Sequence, residues 1–211
     1  MAGHLVWDWN GTLLDDFDAV VHASNEAVIA LGGSGLDAVT HRARFRRPLT
    51  AFYNELLGRE LSPDEFARLN EIFHSSYLTR LPHCTLAADA VAAIDAWTGT
   101  QSLLSMWRHE DLVPLVTEHG LFHRFSRVDG LRDRNDTGKH RYLVEHLTHL
   151  NVPAADVVMI GDSLDDAEAA VAAGASCVLV TGGTTATKLL KASGHPVADT
   201  LREAVEMAAA A

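Results

Sequence analysis

Five short apolar runs, each leading into a helical pattern, constrain this chain more than any other feature. They are HLVW (4–7), QSLLSM (101–106), FSRVDG (125–130), DVVMIGD (156–162) and SCVLVTG (176–182). Continuous runs rich in Val, Ile and Leu fit strands covered on both faces, since clean alternation is expected only where one face meets water. Between them, HEDLVPLVTEHG, GKHRYLVEHLTHLNV and SLDDAEAAVAAG have helical spacing, the first closing on Gly120 as a C-terminal cap. Strands alternating with helices imply an α/β fold: a parallel sheet with right-handed crossovers.

The first interval breaks this rhythm. Residues 16–85 hold no convincing strand but several helical stretches: DAVVHASNEAVIALGG, TAFYNELLG and SPDEFARLNEIFHSSYLTRL. The last opens with Ser62 as N-cap, Pro63 at the first helical position and Glu65 completing a capping box. An insertion of roughly 70 residues is too long for a plain crossover. The expected organisation is a core domain of residues 1–15 and 86–211, with residues 16–85 as a helical cap domain over the carboxyl edge of the sheet. A chain of 211 residues, 47% of them hydrophobic, can support one core plus such a small second domain.

Charge narrows the partners. A formal net charge of −11 leaves little basis for binding nucleic acid or anionic membranes, which need a basic surface. There are 14 Arg but only three Lys, at 139, 188 and 191. Two isolated cysteines, Cys84 and Cys177, suit a reducing compartment and no metal cage. With neither a signal-peptide pattern nor a long apolar span, the expected location is cytoplasmic. Monomer or homodimer are both open.

In an open parallel sheet, ligands bind outside the carboxyl ends of the strands. The first run ends on Asp8 and the second on Ser105. The fourth ends in GDSLDD, giving Asp162 and Asp166, and Lys139 opens the helix before it. Carboxylates, a hydroxyl and an ammonium projected to one edge have a consistent use. Asp8 and Asp162 could share Mg²⁺, which takes oxygen ligands and works with a few carboxylates plus substrate phosphate. Ser105 and Lys139 would hold phosphoryl oxygens while Asp8 attacks phosphorus, forming an aspartyl phosphate.

DWNGTLLDD, LLSM, Lys139 in TGKHRYL and GDSLDDAEAAVAAG, in this order and spacing, resemble the four motifs of the haloacid dehalogenase-like hydrolases. The helical insertion is similar to that of phosphoglycolate phosphatase-like members. The resemblance implies a Rossmann-like three-layer core with a five-stranded parallel sheet and a helical cap. It implies a Mg²⁺-dependent phosphatase acting on a small phosphorylated metabolite. Carried over, Asp8 is the nucleophile and Asn10 holds the acid/base position. Ser105, with Met106 beside it, and Lys139 bind phosphate, and Asp8, the Asn10 backbone carbonyl, Asp162 and Asp166 bind the metal. A metal-free dehalogenase is disfavoured by GDSLDD, and Schiff-base phosphonate chemistry by a cap without lysine.

Asn10 departs from the pattern, because an amide neither gives nor takes a proton near neutral pH. General acid–base catalysis typically contributes about 10²–10⁴-fold. Four explanations stand. The leaving group needs no acid, as in an acyl phosphate or phosphoanhydride. Another group serves, from Asp15, Asp16, His22, His41, His74 or His83. The Asn10-Gly11 pair deamidates. Or the protein binds phosphoryl ligands without turning them over.

HRARFRRP concentrates Arg42, Arg44, Arg46 and Arg47, and arginine bonds carboxylate or phosphate bidentately. Arg47, just before Pro48, is the candidate to reach an anionic tail of the substrate. Asp165 is expected to face solvent, and His109, His119, His123 and His195 to be ordinary surface or half-buried residues. TGGTTATK (181–188) lacks phosphate-loop spacing and reads as a connector past the site.

Overall fold

The computed structural model describes residues 3–132 and 138–210. Its main sheet contains β1 (His4–Trp7), β4 (Thr100–Arg108), β5 (Val128–Leu131), β6 (Val157–Gly161), β7 (Ser176–Val180) and β8 (Val197–Ala198). Their order is β5-β4-β1-β6-β7-β8, and every neighbouring pair is parallel. The sheet thus has six strands where five were expected. The sixth, β8, is two residues long and follows Pro196, too short to carry a periodic signal.

Strict alternation along the strands builds the layers. Leu5, Trp7, Val158, Ile160, Val178 and Val180 face one side, packed on α5 (Ala90–Ala96), α6 (His109–Glu118) and α10 (Leu201–Ala209). Val6, Val157, Met159, Cys177 and Leu179 face the other, packed on α7 (Lys139–Leu150), α8 (Leu164–Ala173) and α9 (Thr187–Ala192). Both faces are covered, which is why the runs read as continuously apolar.

Two short antiparallel strands, β2 (Leu14–Asp15) and β3 (Thr85–Leu86), bracket the helical segment. Between them lie α1 (Phe17–Ala30), α2 (Ala38–Arg44), α3 (Leu49–Leu57) and α4 (Pro63–Arg80). The capping box of α4 forms as expected: Glu65 N–H donates to Ser62 Oγ at 3.3 Å, and Ser62 N–H to Glu65 Oε2 at 2.9 Å. The helical segment has its own apolar cluster, including Ala27, Val28, Leu36, Phe52, Tyr53 and Leu69. Among the described residues no helix is long and apolar enough to cross a membrane.

His41 sits inside this segment, 1% exposed, between the rings of Phe17, Phe45 and Phe52, and neither ring nitrogen has a partner. Burial lowers its pKa from 6.5 to about 4. The folded state therefore keeps His41 neutral while the unfolded chain takes up a proton below pH 6.5. Stability is lost as pH falls through that window, by at most about 3 kcal/mol from this group. His41→Phe removes this linkage. Denaturant unfolding is expected to show the variant at least as stable as wild type at pH 7, with the gap widening steadily towards pH 4.

A buried polar chain crosses the sheet. His146 donates from Nδ1 to Asp129 Oδ2 at 2.8 Å, so its Nε2 accepts from Ser102 Oγ, also at 2.8 Å. Ser102 Oγ in turn accepts from His4 Nε2 at 2.7 Å, leaving His4 Nδ1 to accept from Thr100 Oγ at 2.7 Å. Each group satisfies the next, as buried polar groups must. Sequence reading missed it because His4 starts an apolar run. His146 shares the buried face of α7 with Tyr142, Leu143 and Leu147, and that helical spacing was the only available signal.

Candidate active site

Strand order assembles the site. β1 lies between β4 and β6, so Asp8, Ser105 and Asp162 converge at one carboxyl edge where the chain switches direction across the sheet. Asp8 directly follows β1 and its N–H is held by the Ile160 carbonyl at 2.9 Å. Ser105 lies inside β4, which continues to Arg108 with its pairing to β5 shifted between Leu104 and Arg108. Asp162 directly follows β6, and Asp166 stands in the first turn of α8.

Lys139 opens α7, is 2% exposed, and donates through Nζ to Asp8 Oδ1 and, at 2.6 Å, to Asp166 Oδ1. Burial alone would lower its pKa, but Asp166 and Asp8 outweigh that and hold it above the ordinary lysine value. Asp166 Oδ2 accepts from Ser163 Oγ at 2.7 Å and Ser163 N at 3.0 Å, closing a capping box on α8. Asp162 Oδ2 accepts from Thr184 N at 2.5 Å and Thr184 Oγ at 2.6 Å. TGGTTATK therefore does more than pass the site: its backbone and hydroxyl fix one of the carboxylates. Gly183 leaves room for Asp162, whose carboxyl group a Cβ there would overlap.

One oxygen each from Asp8, Asp162 and Asp166 lie within 4.8 Å of one another. Burial, reinforced by Asp166, raises Asp162 to about 6. Burial also raises Asp8 well above the carboxylate range; Lys139 opposes this, and Asp166 and Asp162 add to it. Three buried carboxylates facing one ammonium leave an excess of negative charge. That excess and the all-oxygen donor set fit a hard divalent cation.

Asn10 has a specific environment. Its amide donates to Asp16 Oδ2 at 2.7 Å and to the Tyr77 hydroxyl at 3.0 Å, while its Oδ1 accepts from Ser105 Oγ at 3.2 Å. Asp16 is 1% exposed and also accepts from Tyr77 OH at 2.6 Å and Gly11 N at 2.8 Å. Burial raises its pKa, and the bonds from Tyr77, Asn10 and Gly11 oppose the rise. Every partner of this carboxylate is a donor. A carboxylate at position 10 would face Asp16 oxygen to oxygen, whereas the amide supplies the hydrogens that Asp16 needs. Gly11, at φ +72°, turns the backbone between them.

The site opens into a cavity of about 960 Å³ between the sheet edge and the helical segment. Met106, Arg47, His41 and His74 line it with Asp8, Asn10, Ser105, Lys139, Asp162 and Asp166, whereas Asp16 does not. Asp15, His22 and His83 do not; Asp15 and His83 are exposed and His22 meets Ser76. Arg47 Nε is 3.3 Å from Asp165 Oδ2. Asp165, expected to face solvent, is instead largely buried beneath Arg47 and receives the Lys139 N–H at 3.4 Å. The contact between α8 and a residue of the distant helical segment was invisible in the sequence. His109 is half-buried at the cavity edge, its Nδ1 accepting from Gly130 N at 3.2 Å.

A family model described as HAD-hydrolase-like matches residues 137–204. A predicted phosphatase from Clostridium acetobutylicum superposes over 100% of both chains with a TM-score of 0.86 at 15% identity. The chain has the haloacid dehalogenase-like fold. A haloacid dehalogenase-like hydrolase from Streptococcus pneumoniae gives a TM-score of 0.83 at 18% identity, covering 98% of each chain. A predicted phosphoglycolate phosphatase from Haemophilus somnus gives 0.77 at 18% identity, covering 98% of this chain and 97% of its own. No curated protein matches the sequence.

Proposed function

We propose that this chain is a Mg²⁺-dependent phosphatase of small phosphorylated metabolites, working through an aspartyl phosphate on Asp8, with residues 16–85 as its cap. The observation that carries the reading is the buried triangle of Asp8, Asp162 and Asp166 with the Lys139 ammonium bonded to Asp8 and Asp166. Asp8, Asp162, Asp166 and the Asn10 carbonyl would hold the metal, which when bound supplies positive charge to the phosphoryl oxygens. Lys139 stays protonated throughout and orients Asp8 towards the cavity. A free carboxylate oxygen of Asp8 attacks phosphorus as the bond to the leaving oxygen breaks. Water then cleaves the acyl phosphate, releasing inorganic phosphate and restoring Asp8. Ser105 turns its hydroxyl from Asn10 to the phosphoryl group.

Asn10 cannot protonate the leaving oxygen, and burial holds the lining His41 and His74 below the ordinary imidazole pKa, which favours a substrate that releases a stable anion. The same amide favours a second reading, a phospholigand-binding protein that turns over little or nothing. Hydrolysis of acyl phosphates and phosphate esters with Mg²⁺ separates the two. Chelation by EDTA is expected to remove turnover, and Asp162→Asn to raise the Mg²⁺ requirement at least about 10-fold. Turnover indifferent to EDTA would overturn the metal assignment.

A further inference from the structure

The phosphatase reading leaves the body of the substrate unspecified, and the cavity speaks to it. Its volume of about 960 Å³ is at the upper end for small-ligand sites and far exceeds what a phosphoryl group on a short acid would fill. The half-buried Phe45, Phe66 and Phe73 line it, together with the buried Phe52 and Trp107. Trp107 is 4.8 Å from Tyr77 and 5.2 Å from His74, centroid to centroid, so the wall is a continuous ring cluster. In this wall Trp107 Nε1 and His74 Nδ1 are buried without a partner, and burial lowers the His74 pKa below the ordinary imidazole value.

The cations tell the same story from the other side. Arg47 is held by Asp165 at 3.3 Å. Arg108 is held by Asp111 at 2.5 Å and Glu110 at 3.4 Å, and Arg132 by Asp129 at 3.3 Å. Lys139 belongs to Asp8 and Asp166. Among the described lining residues, each Arg and Lys already faces a carboxylate. A second anionic group on the substrate would have to share an already paired cation with a protein carboxylate, whereas an aromatic ring meets rings. Arg47, expected to clasp an anionic tail, is engaged within the protein.

We propose that the ligand of this site is an aryl phosphate, a phosphate monoester of an aromatic hydroxyl compound without a second anionic group. The proposal rests on the phosphatase reading for its chemistry and accounts for Asn10. Attack by Asp8 breaks the phosphorus–oxygen bond and the electron pair leaves on the phenolic oxygen. A phenol has a pKa of about 10, as in tyrosine, against about 15.7 for water, which stands near an alkyl alcohol. The phenolate departs without an acid and takes its proton from solvent afterwards.

The test uses the full chain with Mg²⁺ and two readouts. Calorimetry compares non-hydrolysable probes: naphthylmethylphosphonate is expected to bind at least 10-fold tighter than methylphosphonate, and phosphonoacetate no tighter than methylphosphonate. Phe66→Ala is expected to shrink the naphthyl advantage to within about 3-fold. Hydrolysis compares 1-naphthyl phosphate with phosphoglycolate, and the aryl ester is expected to turn over at least 100-fold faster. Tight naphthyl binding with no Asp8-dependent hydrolysis supports the aromatic class and sinks the phosphatase reading. Equal binding of the three probes, tightest binding of phosphonoacetate, or Asp8-dependent hydrolysis that favours phosphoglycolate overturns the aromatic class.

Discussion

Asp8→Asn is expected to cut phosphate release by roughly 10⁴–10⁶-fold, the scale on which an enzyme loses turnover when its nucleophile is removed. The fold should survive. Lys139 keeps Asp166 at 2.6 Å, and the amide occupies the space of the carboxyl group. Three carboxylates crowd this pocket, and burial and mutual repulsion already raise Asp8 and Asp162. Deleting one charge relieves that repulsion, so denaturant midpoints should stay equal to wild type or rise. Loss of turnover without loss of stability distinguishes a nucleophile from a residue needed only for packing. Lys139→Met should do the reverse: it strands Asp8 and Asp166 as buried unpaired charges, and breaking such pairs typically costs about 3–5 kcal/mol.

The second large effect is at Asn10, and the geometry says how to obtain it. Asn10→Asp alone places a carboxylate oxygen where Nδ2 now stands, 2.7 Å from Asp16 Oδ2. Two carboxylates at that separation share one proton and titrate as a pair. The single variant should therefore lose stability as pH rises through the pair's upper pKa, by about 1–3 kcal/mol. The exchange variant, Asn10→Asp with Asp16→Asn, returns a donor and an acceptor to facing positions. It should recover most of that stability, with a coupling of about 1–3 kcal/mol between the two sites. It also returns an ionisable group beside Ser105. Hydrolysis of alkyl phosphates, whose leaving oxygen needs a proton, should rise by about 10²–10⁴-fold. Substrates with acid-independent leaving groups should gain little. Equal gains on both substrate types would mean that Asn10 acts on something other than the leaving group.

These two residues also show what a sequence can and cannot carry. Asp8, Asp162 and Ser105 were legible because strands covered on both faces announce themselves as apolar runs, and ligands gather at their carboxyl ends. Lys139 and Asp166 were legible through ordered motifs. Asn10 was visible as an anomaly, but its explanation was not. The partner Asp16 is six residues away around a turn, and Tyr77 lies in the last turn of α4, brought back by the packing of α1 on α4. The engagement of Arg47 with Asp165 was hidden for the same reason: both are ordinary charged residues until the helical segment meets α8. The strand β8 was missed because two residues cannot show a period, and the His4–Ser102–His146–Asp129 chain because its members are scattered among apolar neighbours.

The most direct test of the account is to trap the phosphorylated protein. Wild-type chain mixed with Mg²⁺ and an acyl phosphate donor, quenched in acid and digested, should show one added phosphoryl group on the peptide containing Asp8. Asp8→Asn should show none. A phosphoryl group found on another residue, or hydrolysis of the donor with no phosphorylated protein under single-turnover conditions, would contradict the assignment of Asp8 as the nucleophile.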